Sequence, residues 1–254
     1  MLLDDKNAVI YGGGGSIGGA VARSFASEGA RVFLAGRTES TLETVAEQIR
    51  AEGGAAETAV VDALDEKAVD EHADAVAADA GSLDVSFNLI AHPYTHGVPL
   101  AEMDVDDFMA PVETAARTTF LTARAAARHM IKQKAGVILA FGGPGDRSGP
   151  IRDYLLGGTQ VAFDAIETMR RQLSVELGKH GIRVVTLSSG GVPETLPDDV
   201  EGRQEVVDLI EGQTLLDRAA TLEDVGNVAA FVASDRARAM TAAIANVSCG
   251  ALVD

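Results

Sequence analysis

Residues 7–19 have the sequence Asn7-Ala8-Val9-Ile10-Tyr11-Gly12-Gly13-Gly14-Gly15-Ser16-Ile17-Gly18-Gly19. The apolar run at the start predicts a buried strand, and the amphipathic stretch Ala20–Glu28 that follows predicts a helix. Between them, Gly13, Gly15 and Gly18 fit the spacing G-x-G-x-x-G. A strand, a glycine turn and a helix in this order indicate the first unit of a parallel α/β sheet.

The same alternation of short apolar runs and longer amphipathic stretches continues along the chain, without a linker or an internal repeat. Near-continuous apolar runs are typical of strands covered on both faces, so they predict a parallel sheet with helices on both sides. We therefore expect a single domain, 1–254, with a Rossmann-type doubly wound sheet. Its seven predicted strands are Asn7–Tyr11, Arg31–Ala35, Ala56–Val61, Asp84–Ile90, Val137–Phe141, Arg183–Leu187 and Ile244–Val247.

Composition excludes several classes of protein. The 254 residues are 46% hydrophobic and carry a net charge of −17, which repels nucleic acid and anionic membrane surfaces. No apolar run has the ~20 residues of a membrane span. A single cysteine, Cys249, and a start without the features of an export signal lead us to expect a cytoplasmic protein. No metal site is predicted.

The glycine turn predicts a ligand site at the carboxyl ends of the strands. Residues without side chains let the backbone approach a pyrophosphate, and the helix N-terminus offers free N–H groups. In the alternative, glycine there only lets helix and strand pack closely. The second strand ends in Gly36-Arg37-Thr38, where a carboxylate for the ribose 2′-hydroxyl is usual. A guanidinium suits a 2′-phosphate, so NADP is favoured over NAD, unless Arg37 is simply solvated.

Asp62 comes at the end of the third strand. Its carboxylate could accept a hydrogen bond from an adenine amino group. Equally, it could cap the helix that follows. The sequence does not decide between these two roles.

These residues, and others along the whole chain, resemble the short-chain dehydrogenase/reductase family. The turn is similar to the family's T-G-x-x-x-G-x-G, with Tyr11 in place of Thr and Ser16 in place of the middle Gly. Leu83–Ala91 is similar to the strand that ends in N-N-A-G, with only Asn88 retained, and Gly181–Val184 and Arg218–Ser234 match later segments. The resemblance implies the strand order 3-2-1-4-5-6-7 and a nicotinamide dinucleotide bordered by Gly190, Gly191 and Val192. The cofactor-binding residues we expect are Gly12, Gly14, Gly15, Ser16, Ile17, Gly18, Arg37, Thr38, Asp62, Ala63, Asn88, Ile90, Gly190 and Val192.

The resemblance also implies four catalytic positions: a Tyr, a Lys four residues later, a Ser and an Asn. Counting along the chain places Thr159 at the Tyr, Phe163 at the Lys, Gly143 at the Ser and Ala115 at the Asn. All four therefore differ from the family pattern. A positioned general acid contributes about 10²- to 10⁴-fold to the rate, so reduction of an ordinary ketone should be severely impaired.

Other groups near the expected pocket could supply the proton. Tyr154 is the best candidate, and its alternative role is a pocket-lining aromatic. His92 and His96 follow, although loop histidines are more often simply solvated. Arg147 and Arg152 could bind an anionic substrate or pair with Asp146 and Asp153.

Two hypotheses for function follow. The first is an NADP(H)-dependent oxidoreductase with a non-standard site that reduces an activated C=C, C=N or C=O bond of a small molecule. The second is a catalytically impaired NADP(H)-binding sensor or partner subunit. The polar groups after the fourth and fifth strands favour the enzyme.

Assembly and a lid are further expectations. The resemblance implies a homotetramer, or a homodimer, formed through the long fifth and sixth helices and an apolar tail. A segment at about 193–213 resembles the family's mobile substrate lid, with Val206, Val207, Leu209 and Ile210 at helical spacing.

Overall fold

The computed structural model describes residues 1–142, 155–197, 199 and 202–253. Seven parallel strands form one sheet in the order β3-β2-β1-β4-β5-β6-β7, as the resemblance implies. The strands are β1 Asn7–Tyr11, β2 Arg31–Gly36, β3 Ala55–Val60, β4 Val85–Asn88, β5 Gly136–Gly142, β6 Ile182–Ser188 and β7 Ala243–Asn246. All seven predicted strands are present, with boundaries that differ by at most two residues from the prediction.

Seven α-helices connect the strands over the part of the chain that is described. They are α1 Ser16–Ser27, α2 Glu39–Ala51, α3 Glu66–Ala80, α4 Val105–Gln133, α5 Gly158–Leu177, α6 Arg203–Gly212 and α7 Leu222–Ala233. The first helix begins at Ser16, four residues before the predicted start at Ala20. Gly18 and Gly19 lower the helix propensity of residues 16–19, so the sequence pattern does not predict a helix there. Tertiary packing overrides this low propensity, because the close contacts of α1 require small residues at these positions.

Two hydrophobic layers cover the sheet. In β1, Ala8 and Ile10 pack on the face covered by α1, α2 and α7. Val9 and Tyr11 pack on the opposite face, against apolar residues of α3 and α4. A strand that is buried on both sides reads as continuously apolar, which is why the sequence revealed the sheet.

Strand order determines where a ligand can bind. The chain proceeds outward from β1 to β3 and then returns to add β4 on the other side of β1. The connections after β1 and β4 therefore leave the carboxyl edge in opposite directions and open a crevice between them. None of the described helices is long and apolar enough to cross a bilayer.

Candidate functional site

The glycine turn packs tightly at two positions. Gly12 has a φ of +82°, and a Cβ there would overlap the carbonyl oxygen of Leu89. A Cβ on Gly18 would overlap the carbonyl oxygen of Gly12, so α1 could not approach β1 as closely. Close packing of helix, strand and neighbouring loop thus explains glycine at both positions.

Gly15 differs from those two residues because it is exposed. A Cβ there would meet only one atom, the Gly12 carbonyl oxygen, at 3.4 Å. Gly15 is also the N-cap of α1, and no side chain caps the helix. The first turn of α1 therefore presents backbone N–H groups and a positive dipole end to the crevice, as an anionic phosphate requires.

A cavity of about 300 Å³ opens directly beside this turn. It lies at the predicted crevice, because residues that follow β1 and residues that follow β4 form its walls. Its lining residues are Gly12, Gly15, Ser16, Ile17, Gly18, Leu89, Ile90, Ala91, His92, Phe141, Phe163 and Thr195. Six predicted cofactor-binding residues are thus brought together here: Gly12, Gly15, Ser16, Ile17 and Gly18 after β1, and Ile90 after β4.

The far wall of the cavity is apolar. Phe141 from β5 and Phe163 from α5 form it, and the ring of His92 lies 6.4 Å from that of Phe163. Burial lowers the pKa of His92 below its ordinary value, because the surroundings disfavour the imidazolium. His92 is therefore neutral at pH 7 and is the one titratable group among the described lining residues.

Thr159 and Phe163 lie one helical turn apart on α5, as the counting predicted. The Thr159 hydroxyl is buried and lies 3.5 Å from Nε2 of His96. Tyr94 stacks on the His96 ring with the centroids 4.4 Å apart. The loop after β4 thus brings His92 beside Phe163 and His96 beside Thr159. Burial also lowers the pKa of His96.

Several predicted groups lie outside the described residues. They are Gly143, Asp146, Arg147, Arg152, Asp153 and Tyr154. Tyr154, the first candidate for the proton donor, is among them, so its role stays a prediction.

Asn88 braces the wall of the cavity. Its side-chain amide donates to the hydroxyls of Thr118 and Thr119 on α4, at 3.1 Å and 3.2 Å, and its carbonyl oxygen accepts from the Ile90 N–H at 3.1 Å. These bonds hold the loop after β4 in place. Ala115, which the sequence comparison predicts at the family's Asn position, is fully buried and packs with Ala162 between α4 and α5.

Arg37 lies at the carboxyl end of β2, where it is exposed. Among the described residues it makes no ion pair or hydrogen bond, whereas Arg31 on the same strand pairs with Glu57 and Asp79. Thr38 is the N-cap of α2, and its side chain caps no N–H group there. A free guanidinium and an uncapped helix N-terminus therefore meet at this corner.

The remaining predicted residues surround these features without lining the cavity. Asp62 is exposed and its carboxylate accepts from the Leu64 N–H at 3.0 Å, while Asp65 caps α3. Ala63 is buried in the core beneath α3, and Val192 is buried beside β6. Gly190 packs against Ala251 and Gly14 against Thr41.

Four lining residues were not among the predicted site residues: Leu89, Ala91, Phe141 and Thr195. Leu89 and Phe141 lie within the predicted strands Asp84–Ile90 and Val137–Phe141, whose apolar sequences predict burial in the sheet. Thr195, whose hydroxyl donates to the Val192 carbonyl at 2.7 Å, could have been found from its position shortly after β6.

The fold and the turn define a class: a doubly wound α/β protein that presents a phosphate-binding turn at its switch point. The residues present fit a dinucleotide at that turn, because Gly15 leaves room and α1 offers uncapped N–H groups. Residues 13–251 match the family model described as enoyl-(acyl carrier protein) reductase.

Galactitol 2-dehydrogenase of Rhizobium johnstonii is 30% identical over 250 residues, which cover 98% of this chain and 95% of that protein. The structure of a short-chain type dehydrogenase/reductase from Mycobacterium ulcerans has a TM-score of 0.87 at 25% identity, over 99% of this chain and 91% of that chain. The structure of NAD⁺-bound xylitol dehydrogenase shares the fold, with a TM-score of 0.86 at 23% identity over 98% of this chain and 100% of that chain.

The chain belongs to the short-chain dehydrogenase/reductase family and is an oxidoreductase of that type. The family uses NAD(P) as its cofactor.

Proposed function

We propose that this protein is an NADP(H)-dependent reductase with a non-standard active site. The preference for NADP(H) over NAD(H) rests on Arg37. Its guanidinium is exposed at the end of β2, beside the N-terminus of α2, and has no partner among the described residues. Gly36 replaces the carboxylate that would repel a 2′-phosphate. Ser40 lies in the first turn of α2 and adds a hydroxyl there, while Glu39 opposes the phosphate weakly because it is exposed.

The cofactor preference is tested with Arg37→Ala and titration by NADPH and NADH. Loss of a charge-assisted contact should weaken the affinity for NADPH by about tenfold or more and leave the affinity for NADH nearly unchanged. Arg50→Ala is the matched control, because Arg50 lies in the last turn of α2, at the opposite edge of the sheet. Equal losses for both nucleotides in Arg37→Ala would contradict the proposal.

The chemistry is distributed between the cofactor and the chain. When bound, NADPH supplies a hydride. The chain binds the pyrophosphate at α1, orients the nucleotide by Arg37 and Thr38, and excludes water with the apolar wall of Phe141 and Phe163. Positioning of this kind contributes to the rate without any covalent participation of the protein.

His92 is proposed to hold the proton for the product, together with Tyr154, the other candidate. Because burial lowers the pKa of His92, the imidazolium is scarce at pH 7 but is a stronger acid. Turnover should therefore rise as the pH falls from 7 toward the lowered pKa. His92→Gln should abolish this rise, whereas an unchanged pH profile would remove His92 from the mechanism. Tyr154→Phe tests the second donor in the same way.

The substrate is proposed to carry an activated C=C, C=N or C=O bond. Neither Thr159 nor Phe163 can act as the Tyr and Lys of the family pattern, so a substrate with a low demand for protonation is favoured. The matched family model, described as an enoyl reductase, supports a C=C bond. Loss of NADPH absorbance with a panel of enones, imines and ketones tests this, and tight NADPH binding without turnover on any of them would contradict it.

Residues 193–213 are proposed to form a lid over the cavity. Thr195 lies at the cavity itself, and in α6 the Ile210 side chain lies against Gly191. The Arg203 guanidinium donates to the Pro193 carbonyl at 3.4 Å and ties the two parts together. Protection of α6 from hydrogen exchange should increase when NADPH binds.

A homotetramer, or a homodimer, is proposed for the assembly. The two longest described helices are α4 and α5, which are the fourth and fifth along the chain rather than the fifth and sixth that the resemblance implied, and they expose Phe120, Val161 and Val175. Large apolar side chains on neighbouring long helices favour contact with a second copy. Sedimentation equilibrium gives the mass directly, and a monomer at micromolar concentration would contradict this proposal.

The compartment is proposed to be the cytoplasm. The supporting observation is that Cys249, the one cysteine of the sequence, is a free and partly buried thiol. Chains without disulfides are typical of reducing compartments. Localisation of a fluorescently tagged chain tests the proposal.

A further inference from the structure

The loop after β3 contains two aspartates with different roles. Asp65 is the N-cap of α3, and its carboxylate accepts from the N–H groups of Lys67 and Ala68. Asp62 does not cap this helix. One oxygen of its carboxylate, Oδ1, accepts from the Leu64 N–H at 3.0 Å, and the other accepts no hydrogen bond from the described residues. Because Asp62 is also exposed, this second oxygen is available to a ligand.

Asp62 lies beside the corner at which the 2′-phosphate is proposed to bind. β3 pairs with β2 as far as Val60, and the Val61 N–H donates to the Gly36 carbonyl at 2.9 Å. Asp62 and Arg37 therefore follow neighbouring strands at the same edge of the sheet. In NADPH the 2′-phosphate and the adenine base are joined to one ribose. A ribose whose phosphate lies at Arg37 thus brings its adenine within reach of the loop after β3.

Arg117 of α4 contacts the same loop. Its Nε–H donates to the Leu64 carbonyl at 2.9 Å. Leu64 therefore connects two side chains, since its carbonyl accepts from Arg117 and its N–H donates to the Asp62 carboxylate. The Asp65 N–H also donates to the Asp62 carbonyl, at 3.0 Å, and closes a turn. The turn holds the carboxylate in place, and Arg117 attaches the turn to α4.

The residues next to Arg117 hold a second loop. The hydroxyls of Thr118 and Thr119 accept from the side-chain amide of Asn88, which fixes the loop after β4. Three consecutive residues of one helix thus hold the loops after β3 and β4. These two loops flank those after β2 and β1, where the phosphates are proposed to bind. The 29-residue helix α4 is therefore the common support of both sides of this part of the crevice.

We infer that Arg117 is a positioning residue for the adenine end of the cofactor: through Leu64 it holds the loop after β3 so that the Asp62 carboxylate accepts a hydrogen bond from the adenine amino group. This inference rests on the proposed NADP(H) binding and adds to it a residue that controls recognition of the base. In this role Arg117 acts through the loop and does not contact the cofactor. Its loss should therefore lower the preference for adenine over a base that lacks the amino group.

The test uses calorimetry with NADPH and with the reduced form of nicotinamide hypoxanthine dinucleotide phosphate. Hypoxanthine has a carbonyl oxygen in place of the amino group of adenine, and the Asp62 carboxylate repels that oxygen. The wild-type protein should bind NADPH about tenfold or more tightly than the analogue, as expected for a hydrogen bond to a charged group. Equal affinities would overturn the inference and leave the proposed function standing. If neither nucleotide binds, the proposed function fails and the inference fails with it.

Arg117→Ala tests the residue itself, and because Arg117 is exposed the variant should fold. The preference for NADPH over the analogue should fall to about threefold or less, since the loop is no longer attached to α4. Arg128→Ala is the matched control, because Arg128 is another exposed arginine of α4 and pairs with Asp70 and Asp74 instead of the loop. Its preference should equal that of the wild type.

Two results with these variants would overturn the inference. In the first, Arg117→Ala weakens the affinity for both nucleotides equally or not at all, so that the preference is unchanged and the guanidinium acts at most as a nearby charge. In the second, Arg128→Ala lowers the preference as much as Arg117→Ala does. The proposed function would stand in both cases, because NADPH would still bind.

Discussion

His72 on α3 should make the protein sensitive to mild acid. Its ring packs edge-on to Tyr11 at the end of β1, with the centroids 5.8 Å apart at an angle of 76°. Its Nδ1 is buried and has no hydrogen-bond partner among the described residues. Burial lowers the pKa of His72 from 6.5 to about 4, since the apolar surroundings disfavour the charged ring. Burial raises the pKa of Tyr11 above its ordinary value, and the Asp70 carboxylate raises it further.

The magnitude follows from proton linkage. Because the folded-state pKa lies below the unfolded-state value, the stabilisation is complete above pH 6.5 and is lost as the pH falls through 4. Between pH 7 and pH 5 the unfolded chain takes up the proton and the folded chain hardly does. This difference costs about 2 kcal/mol, or about 4 °C in Tm for a chain of this size.

The assay is thermal unfolding of the wild-type protein and of His72→Leu at pH 7 and pH 5, at one protein concentration. The Tm of His72→Leu should fall by about 4 °C less than the Tm of the wild type between pH 7 and pH 5. Val76→Ala is the matched control, because Val76 is buried on the same helix and its truncation costs about 2 kcal/mol without removing the titratable ring. Equal pH dependence in the wild type and His72→Leu would refute the reasoning.

Further predictions concern packing and the buried polar groups. Gly18→Ala should lower the free energy of unfolding by about 1–3 kcal/mol, because a Cβ at this position has no room. Gly15→Ala should leave the free energy of unfolding unchanged but weaken NADPH binding. Denaturant titration measures the first effect and calorimetry the second. Asn88→Ala should cost about 1–3 kcal/mol, measured in urea, since it leaves the Ile90 N–H and two α4 hydroxyls without their partner; a loss below about 0.5 kcal/mol would contradict the bracing role. Glu167→Ala should cost about 3–5 kcal/mol because it leaves the buried Arg170 unpaired, and a second change, Arg170→Met, should restore part of that loss in the same titration.

Much of the fold follows from local sequence patterns. Most strands were predicted because they are covered on both faces and are therefore almost entirely apolar, as Val9 and Ile10 illustrate in opposite layers. The edge strand β3 is the exception, since it is largely exposed and contains Glu57. The predicted start of α1 was wrong because Gly18 and Gly19 are poor helix formers. Their presence in the helix is explained only by the close contacts of Gly18 with the turn after β1 and of Gly19 with α2. Asn88 was predicted at the cofactor, but its hydrogen bonds to α4 depend on a helix some thirty residues later in the chain.

The sequence by itself determined the alternation of strands and helices and the glycine turn, and it predicted that Thr159 and Phe163 occupy the Tyr and Lys positions of the family pattern. These features depend on residue types and on spacing within one element, which a linear chain displays directly. Only the tertiary structure placed Phe163, Phe141 and His92 around one cavity and left Arg37 without a partner among the residues that it describes. Such contacts join residues far apart in the chain, and they exist only once the strand order brings the carboxyl ends of β1, β4 and β5 to the same edge.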